Sequence, residues 1–199
     1  MDRVTSSPPL AALREIVATL ESAGIECALG GSGLLASLGL ETVIRDWDLT
    51  TDAPLEEVRL ALARYAPGHM GPNGVHADDK LMIPGHSTEC IVRFAFHSGG
   101  VIVRIPTLKQ ARWAGVTVGS AEAWAVAYAL MGREEKSRRL FDHLARSGAD
   151  GAAVLRLCGE PLPDGLRDSL SALPTASSST GTSREGDPHV VREGGAPEP

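Results

Sequence analysis

Residues 28–50 of the chain read ALGGSGLLASLGLETVIRDWDLT, and two motifs in this stretch indicate the architecture of the protein. The first is the turn Gly30-Gly31-Ser32, which directly follows the mostly apolar stretch 25–29. This pattern predicts a short buried strand, a glycine turn and then a short helix over 34–40. The second motif is Asp46-Trp47-Asp48-Leu49-Thr50, in which polar and apolar residues alternate. That alternation predicts a second strand.

The acidic motif supplies a candidate cation site. Successive side chains of a strand point to opposite faces, so Asp46 and Asp48 share a face, roughly 7 Å apart along the backbone. Trp47 and Leu49 then point into the core. Two converging carboxylates can hold a hard divalent cation such as magnesium, which prefers oxygen ligands. The alternative is a solvated strand end with two exposed acids, which is common for an isolated pair of this spacing.

The glycine turn supplies a candidate phosphate site. Its glycines let backbone N–H groups approach a phosphate, the following helix N-terminus favours negative charge, and the Ser32 hydroxyl can donate a hydrogen bond. The alternative is an ordinary strand-to-helix turn. The motif is not a P-loop, because no Gly-Lys-Ser/Thr follows, and the spacing of Gly30, Gly31 and Gly33 does not fit the Rossmann fingerprint. The turn and the acidic pair are more specific together than either is alone.

A two-metal site requires a third carboxylate, and Glu89 is the candidate. It begins the alternating stretch 89–96, which is expected to form a hairpin with 101–105 through the turn at 97–100. Glu89 lies on the less apolar face of that hairpin, and the opposite face, with Cys90, Val92, Phe94 and Phe96, is expected to be core. An ordinary solvent-facing glutamate is the alternative. Asp78 and Asp79 are rivals, but the glycine-rich stretch 67–79 predicts a loop in which both are solvated.

The whole pattern predicts an α/β (α+β) protein with a small mixed sheet of four to five strands flanked by helices. A first helix begins near Leu10, with Ser7 as its cap and Gly24 as its stop. Further helices are expected from Pro54, over 120–132 with Ser120 as the cap, and over 134–147; another strand is expected over 80–83. We expect a core at 1–118, C-terminal helices at 119–173 and a tail at 174–199. The serine, glycine, proline and charge content of that tail predicts disorder.

Composition narrows the class of function. The chain has 199 residues and a net charge of −6, and residues 1–159, with 16 bases and 18 acids, carry −2. A nearly neutral net charge over these 159 residues is not typical of a dedicated nucleic-acid-binding protein. Three cysteines without a C-x-x-C spacing argue against a disulfide framework or a zinc site. The lack of a long apolar run or a signal-like N-terminus predicts a cytoplasmic protein without a membrane partner.

The order of the motifs carries a family resemblance. The glycine turn, the Asp46–Leu49 motif and a later acidic strand together resemble the nucleotidyltransferase fold of the polymerase-beta-like superfamily, over roughly residues 10–146. The small bacterial branches are the most similar: aminoglycoside and lincosamide nucleotidylyltransferases and abortive-infection-type toxins. The resemblance implies that Gly30, Gly31 and Ser32 bind a nucleoside triphosphate and that Asp46 and Asp48 hold two magnesium ions. Glu89 would join the metals or activate the attacking hydroxyl, and it departs from the family, which usually has aspartate there.

The segment 132–142 resembles the region after the core in these proteins, where a basic residue often faces the triphosphate. Arg133 and Lys136 share a helix face and are the candidates, with Lys109 a weaker one; a solvated charged face is the alternative. The expected activity is magnesium-dependent transfer of a nucleoside monophosphate to an acceptor hydroxyl, with release of pyrophosphate. A small-molecule acceptor such as an antibiotic or metabolite is favoured. The alternatives are a toxin that acts on RNA or protein, and a catalytically impaired nucleotide-binding module.

Overall fold

The computed structural model describes residues 7–41 and 43–175. The expected tail therefore lies, from residue 176 onward, outside the described residues. The helices are α1 Leu10–Ser22, α2 Gly31–Ser37, α3 Leu55–Ala61, α4 Ala121–Leu130, α5 Glu134–Ser147, α6 Gly151–Cys158 and α7 Asp164–Ser171, with a 3-10 turn at Ala63–Tyr65. The strands are β1 Ala28–Leu29, β2 Trp47–Thr51, β3 Gly68–Met70, β4 Asp79–Ile83, β5 Thr88–Val92, β6 Ala95–Ser98, β7 Val101–Arg104, β8 Lys109–Trp113 and β9 Val116–Gly119.

The main sheet is mixed and confirms the expected fold class. Its strand order is β3-β4-β5-β2-β1-β9-β8, and β6 and β7 form a separate two-stranded ribbon. The pairs β2–β5 and β1–β9 are parallel and the other pairs are antiparallel. Within the described ranges the main sheet has seven strands, more than the four to five predicted. The unpredicted strands of this sheet are β3, β8 and β9. Two of them, β3 and β8, expose most of their side chains and so lack an alternating apolar pattern.

The stretch 89–96 is not one hairpin strand, and this correction decides where Glu89 lies. Arg93 adopts a φ of 55°, in the left-handed region, and ends β5. The chain then turns out of the main sheet, so that the hairpin consists of β6 and β7 alone. Phe94 and Phe96 consequently pack with Ile91 rather than with Cys90 and Val92 as expected. Glu89 therefore belongs to an interior strand of the main sheet, beside β2.

The sheet separates two apolar layers. On one face, the first helix packs Leu13, Ile16 and Leu20 against a cluster that includes Trp47 and Leu49. On the other face, α4 contributes Trp124 and Tyr128 to a second cluster. The motif strands meet this second layer through their polar side chains, so the candidate site lies on the α4–α5 side of the sheet.

Several local expectations can be compared with the structure directly. The Ser120 hydroxyl accepts a hydrogen bond from Ala123 N at 3.1 Å and caps α4 as predicted. The first helix is confirmed as α1, but the prediction that Ser7 caps it is wrong, because Pro9 is its N-cap and no side chain caps it. The helix expected over 34–40 begins at Gly31, and the expected loop at 67–79 contains β3. None of the described helices is long and apolar enough to cross a membrane.

Candidate active site

The glycine turn is built against the acidic strand. Gly30 is the N-cap of α2, and its backbone N–H donates to the carbonyl of Asp48 at 2.7 Å. Gly31 has a φ of +54°, and a Cβ placed there would lie 1.7 Å from Oδ2 of Asp48. A Cβ at Gly30 would lie 1.9 Å from Cζ2 of Trp124. Neither position has room for a side chain, so the backbone of the turn lies directly on the carboxylate of Asp48 and on the indole of Trp124.

The register of the sheet places two acidic residues side by side. Asp48 of β2 and Glu89 of β5 are partners in a parallel pair. Neighbouring strands are about 4.8 Å apart, so the two side chains leave the sheet on one face at that spacing. Asp46 lies two residues before Asp48, just outside β2. The three acidic residues predicted from the sequence thus lie on or beside two neighbouring strands, at one edge of the α4–α5 side.

A large cavity adjoins this edge. Its volume is about 1160 Å³, and it is lined by five of the predicted site residues: Ser32, Asp46, Asp48, Arg133 and Lys136. Gly30, Gly31 and Glu89 are not among the lining residues. The lining also includes Arg45, Glu41 and Glu135, which the sequence analysis did not single out. Arg45 and Glu41 precede the acidic motif by a few residues. This closeness in sequence is the signal that could have identified them as site residues.

The electrostatics of Asp48 show a cluster that is short of positive charge. Its pKa is raised from the usual 3.8 to about 7, first by burial and then by the charges of Asp46 and Glu89. Lys80 and Arg133 oppose the increase without cancelling it. Carboxylate oxygens in such a cluster suit a hard divalent cation, and magnesium is commonly held by one or two carboxylates together with substrate phosphates. Asp46 and Asp48 fit that mode of binding. In the described ranges, no three His, Cys, Asp or Glu side chains are arranged to ligate one metal ion.

Glu89, the third candidate carboxylate, pairs with a cation of β4, the strand on the other side of β5 from β2. Oε2 of Glu89 lies 3.6 Å from Nζ of Lys80, a residue of β4 that sequence reasoning missed. The rivals of Glu89 lie elsewhere. Asp78 is buried and faces His76 at 3.2 Å, which corrects the expectation that it is solvated, and Asp79 pairs with His69 at 2.7 Å.

The basic candidates separate into two groups. Arg133 is the N-cap of α5, and its backbone N–H donates to the carbonyl of Tyr128 at 2.8 Å. Nζ of Lys136 lies 5.5 Å from the centre of the Tyr128 ring, so that this aromatic ring lies under the ammonium group. Both residues line the cavity. Lys109, the weaker candidate, lies in β8, pairs with Glu26 and is not part of the cavity lining.

Tyr128 is a further residue that the sequence did not reveal. Its hydroxyl is buried and has no hydrogen-bond partner among the described residues. Burial and the nearby charge of Asp48 raise its pKa above the usual value. Buried hydroxyl groups are usually hydrogen-bonded, so this unpaired group, on a ring that lies under Lys136 of the cavity wall, is an exception.

Comparisons with known proteins agree with this architecture. No family model and no curated protein sequence matches the chain. Among solved structures, it is similar to a proposed nucleotidyltransferase from Thermotoga maritima, with 22% identity, a TM-score of 0.50 and coverage of 69% of this chain and 92% of that one. It is also similar to ANT(2'')-Ia in complex with adenylyl-2''-tobramycin, with 18% identity, a TM-score of 0.50 and coverage of 81% and 96%. The solution structure of the antibiotic-resistance factor ANT(2'')-Ia matches at the same identity and TM-score, with coverage of 81% and 90%. The chain has a nucleotidyltransferase fold, as the order of its motifs predicted.

Proposed function

We propose that the protein is a magnesium-dependent nucleotidyltransferase that moves a nucleoside monophosphate from a nucleoside triphosphate to an acceptor hydroxyl. The observation that carries the proposal is the contact between the glycine turn and Asp48 at the wall of a cavity that Asp46, Arg133 and Lys136 also line. This arrangement supplies carboxylates for a cation and donors for phosphates along the wall of one cavity. The fold likeness supports the same class of reaction.

Each group of residues has a distinct task in this proposal. The backbone N–H groups and the hydroxyl of the Gly30–Ser32 turn donate to the triphosphate, and Arg133 and Lys136 offset its charge. Asp46 and Asp48 would hold the two magnesium ions. When bound, magnesium neutralises the triphosphate and lowers the pKa of the acceptor hydroxyl.

Each bond that forms or breaks in the proposed transfer, and the proton that is released, can be accounted for. The acceptor oxygen forms a bond to the α-phosphorus, and the bond from the α-phosphorus to the bridging oxygen breaks. Pyrophosphate leaves with that oxygen, and the hydroxyl proton passes to the carboxylate of Glu89. In-line displacement of this kind depends chiefly on positioning and on charge stabilisation, which the turn and the cationic wall can supply.

A small hydroxylated molecule is the acceptor that the site favours. A cavity of about 1160 Å³ has room for a nucleotide and a second small molecule, since small-molecule sites commonly measure about 300–1,000 Å³. An RNA acceptor would require a free basic surface on α5. However, Arg138 pairs with Asp142 at 3.0 Å and Arg139 pairs with Glu135. These pairs reduce the positive surface that α5 presents to a polyanion.

Transfer of a nucleoside monophosphate to an acceptor is the test of this function. Each of the four nucleoside triphosphates is mixed with magnesium and a panel of hydroxylated antibiotics and metabolites, and the products are analysed by mass spectrometry. We expect an acceptor to gain the mass of one nucleoside monophosphate, and we expect Asp48→Asn to abolish the product. The matched control is Asp168→Asn, at an exposed position of α7 outside the cavity. Bound nucleotide with no product from any small molecule, RNA or protein would instead favour the impaired binding module.

A further inference from the structure

The aromatic ring of Tyr128 lies under one cation of the cavity wall. Nζ of Lys136 is 5.5 Å from the centre of this ring, within the distance of about 6 Å at which an ammonium group is attracted to an aromatic face. Lys136 lines the cavity, whereas Tyr128 is fully buried and is not among the lining residues. The ring therefore contacts the ammonium group from the interior of the protein.

Neighbouring residues fix the position of this ring. It packs on the indole of Trp124, with the ring centres 5.4 Å apart and the planes inclined at 59°. Trp124 in turn lies against Gly30, where a Cβ would be 1.9 Å from Cζ2. The carbonyl of Tyr128 accepts a hydrogen bond from Arg133 N at 2.8 Å, which joins α4 to the N-cap of α5. One pair of aromatic side chains thus supports both the glycine turn and the cation.

The ammonium group of Lys136 is held by the ring and not by an acid. In the part of the chain that the structure describes, Lys136 makes no ion pair, although Asp46 and Asp48 line the same cavity. Arg138 on the same helix instead pairs with Asp142 at 3.0 Å. An ammonium group has three N–H donors, and attraction to a ring leaves them available for phosphate oxygens, whereas an ion pair engages them.

We propose that Tyr128 is a positioning residue for the triphosphate: its ring fixes the ammonium group of Lys136 at the cavity wall, where that group donates to phosphate oxygens. This inference rests on the proposed function and adds to it a residue that does not touch the nucleotide. The physical reason is conformational entropy. Lysine has a long, flexible side chain, and ordering it on binding costs free energy, so a cation that the ring already holds binds the phosphates more tightly.

Fluorinated phenylalanines at position 128 test the role of the ring directly. Fluorine withdraws electron density from the ring face and weakens its attraction for a cation, while the shape of the ring changes little. The reference is Tyr128→Phe, which removes only a buried hydroxyl without a partner among the described residues. One, two and three fluorine atoms are then added to that ring by site-specific incorporation into the full chain.

Calorimetry measures the binding of magnesium tripolyphosphate and of the four magnesium nucleoside triphosphates to each variant. We expect Tyr128→Phe to bind within about twofold of wild type, and the Kd of each ligand to rise stepwise with fluorination, by roughly fivefold across the series. A Kd that does not change with the number of fluorine atoms would overturn the inference.

The same series in a Lys136→Met background shows whether the ring acts through the ammonium group. The methionine keeps the stem and removes the charge. We expect the Kd in this background to change less than about twofold across the fluorinated series, because the interaction that fluorine weakens is already absent. A rise of the same size in both backgrounds would contradict the proposal. Lys136→Arg keeps a cation that stacks on the ring and is expected to retain the dependence on fluorination.

A remote pair of the same type supplies the matched control. Arg64 lies over the ring of Tyr65, at 4.7 Å from its centre, and neither residue lines the cavity. We expect Tyr128→Leu to raise the Kd about fivefold to tenfold and Tyr65→Leu to leave it unchanged. Equal increases from the two variants would contradict the proposal. Circular dichroism checks that each variant is folded, and the fluorinated series decides the question if Tyr128→Leu is not.

These titrations also separate the inference from the proposed function. If Lys136→Met binds every ligand as tightly as wild type does, Lys136 does not contact the phosphates. The inference then fails, while the proposed function still rests on the glycine turn and the two aspartates. If wild type binds neither magnesium tripolyphosphate nor any of the four nucleoside triphosphates, both fail.

Discussion

Gly31 lies against the carboxylate of Asp48, so closely that a Cβ on the glycine would be 1.7 Å from Oδ2. The two residues are far apart in the chain, yet the backbone N–H of Gly30 also donates to the Asp48 carbonyl. The candidate phosphate turn and the candidate metal ligand are therefore one structural unit. A change at either position is expected to disturb both.

Substitution of Gly31 tests that unit. Gly31→Ala adds a methyl group where Asp48 already lies, and the left-handed backbone adds strain, so we expect a loss of roughly 2–4 kcal/mol in unfolding free energy. We also expect at least a tenfold loss of Mg²⁺-nucleotide affinity, measured by calorimetry. The matched control is Gly39→Ala, where φ is +70° but a Cβ would meet no atom within 4 Å. It should show the strain alone and keep the affinity; equal losses of affinity in both variants would count against the contact.

The stability of the metal-free protein should depend on pH through Asp48. Its pKa is raised from 3.8 to about 7 in the folded state. A carboxyl group whose folded pKa is raised contributes stability below its unfolded pKa and loses that contribution as pH rises through the folded value. The negative charges of Asp46 and Glu89 make ionisation of Asp48 in the folded state more costly. The positive charges of Lys80 and Arg133 make it less costly.

We therefore expect Asp48→Asn to be more stable than wild type at pH 8 in the presence of EDTA, by about 1–3 kcal/mol, and nearly equal to it at pH 4. Thermal melts between these pH values measure the difference. Asp168→Asn serves again as the control and should show no such trend. A constant difference between wild type and Asp48→Asn across this range would contradict the account of the cluster.

Two of the cations of α5, Lys136 and Arg138, should differ in their effect on nucleotide binding. Lys136 lines the cavity, whereas Arg138 pairs with Asp142 outside it. Lys136→Met removes a charge that would face the triphosphate in the proposed function, and we expect the nucleotide Kd to rise about tenfold, equivalent to about 1.4 kcal/mol. Arg138→Met, on the same helix, should change the Kd less than twofold. Equal increases in Kd from the two variants would indicate that the nucleotide responds to the overall positive charge of α5 and not to a direct contact with Lys136.

Glu122 is expected to support the fold without contributing to the site. It is fully buried; Oε2 accepts a hydrogen bond from the Ser120 hydroxyl at 2.7 Å, and Oε1 accepts one from Asp150 N at 2.8 Å. Glu122→Ala leaves both donors without their partner, so we expect a loss of about 2–4 kcal/mol in unfolding free energy, measured by urea denaturation. The exposed Glu57→Ala is the control. At temperatures where the variant is folded, nucleotide affinity should be unchanged, and a large change would place Glu122 in the site.

The sequence predicted the site best where chemistry and periodicity coincided. Asp46 and Asp48 were recognisable because two acids alternate at the start of a predicted strand, and Arg133 and Lys136 because they are three residues apart at the start of a predicted helix. The helix α4 was predicted with its Ser120 cap because that motif is local. The domain boundaries and the roles of the site residues stay predictions.

Contacts that depend on register could not be inferred. The pairing of Lys80 with Glu89 is diagonal between β4 and β5, and it requires that the strand break at Arg93 be known. The approach of Trp124 to Gly30 joins an interior helix to a turn 94 residues earlier in the chain. The strand β8 was missed because its exposed residues resemble a loop.

The most direct test of the central claim is a calorimetric titration of the four nucleoside triphosphates with and without magnesium, on wild type and on Asp46→Ala/Asp48→Ala. The account predicts binding to wild type that requires magnesium and that the double variant loses while it remains folded. Absence of binding for every nucleotide to folded wild type, or binding that the double variant retains, would contradict it.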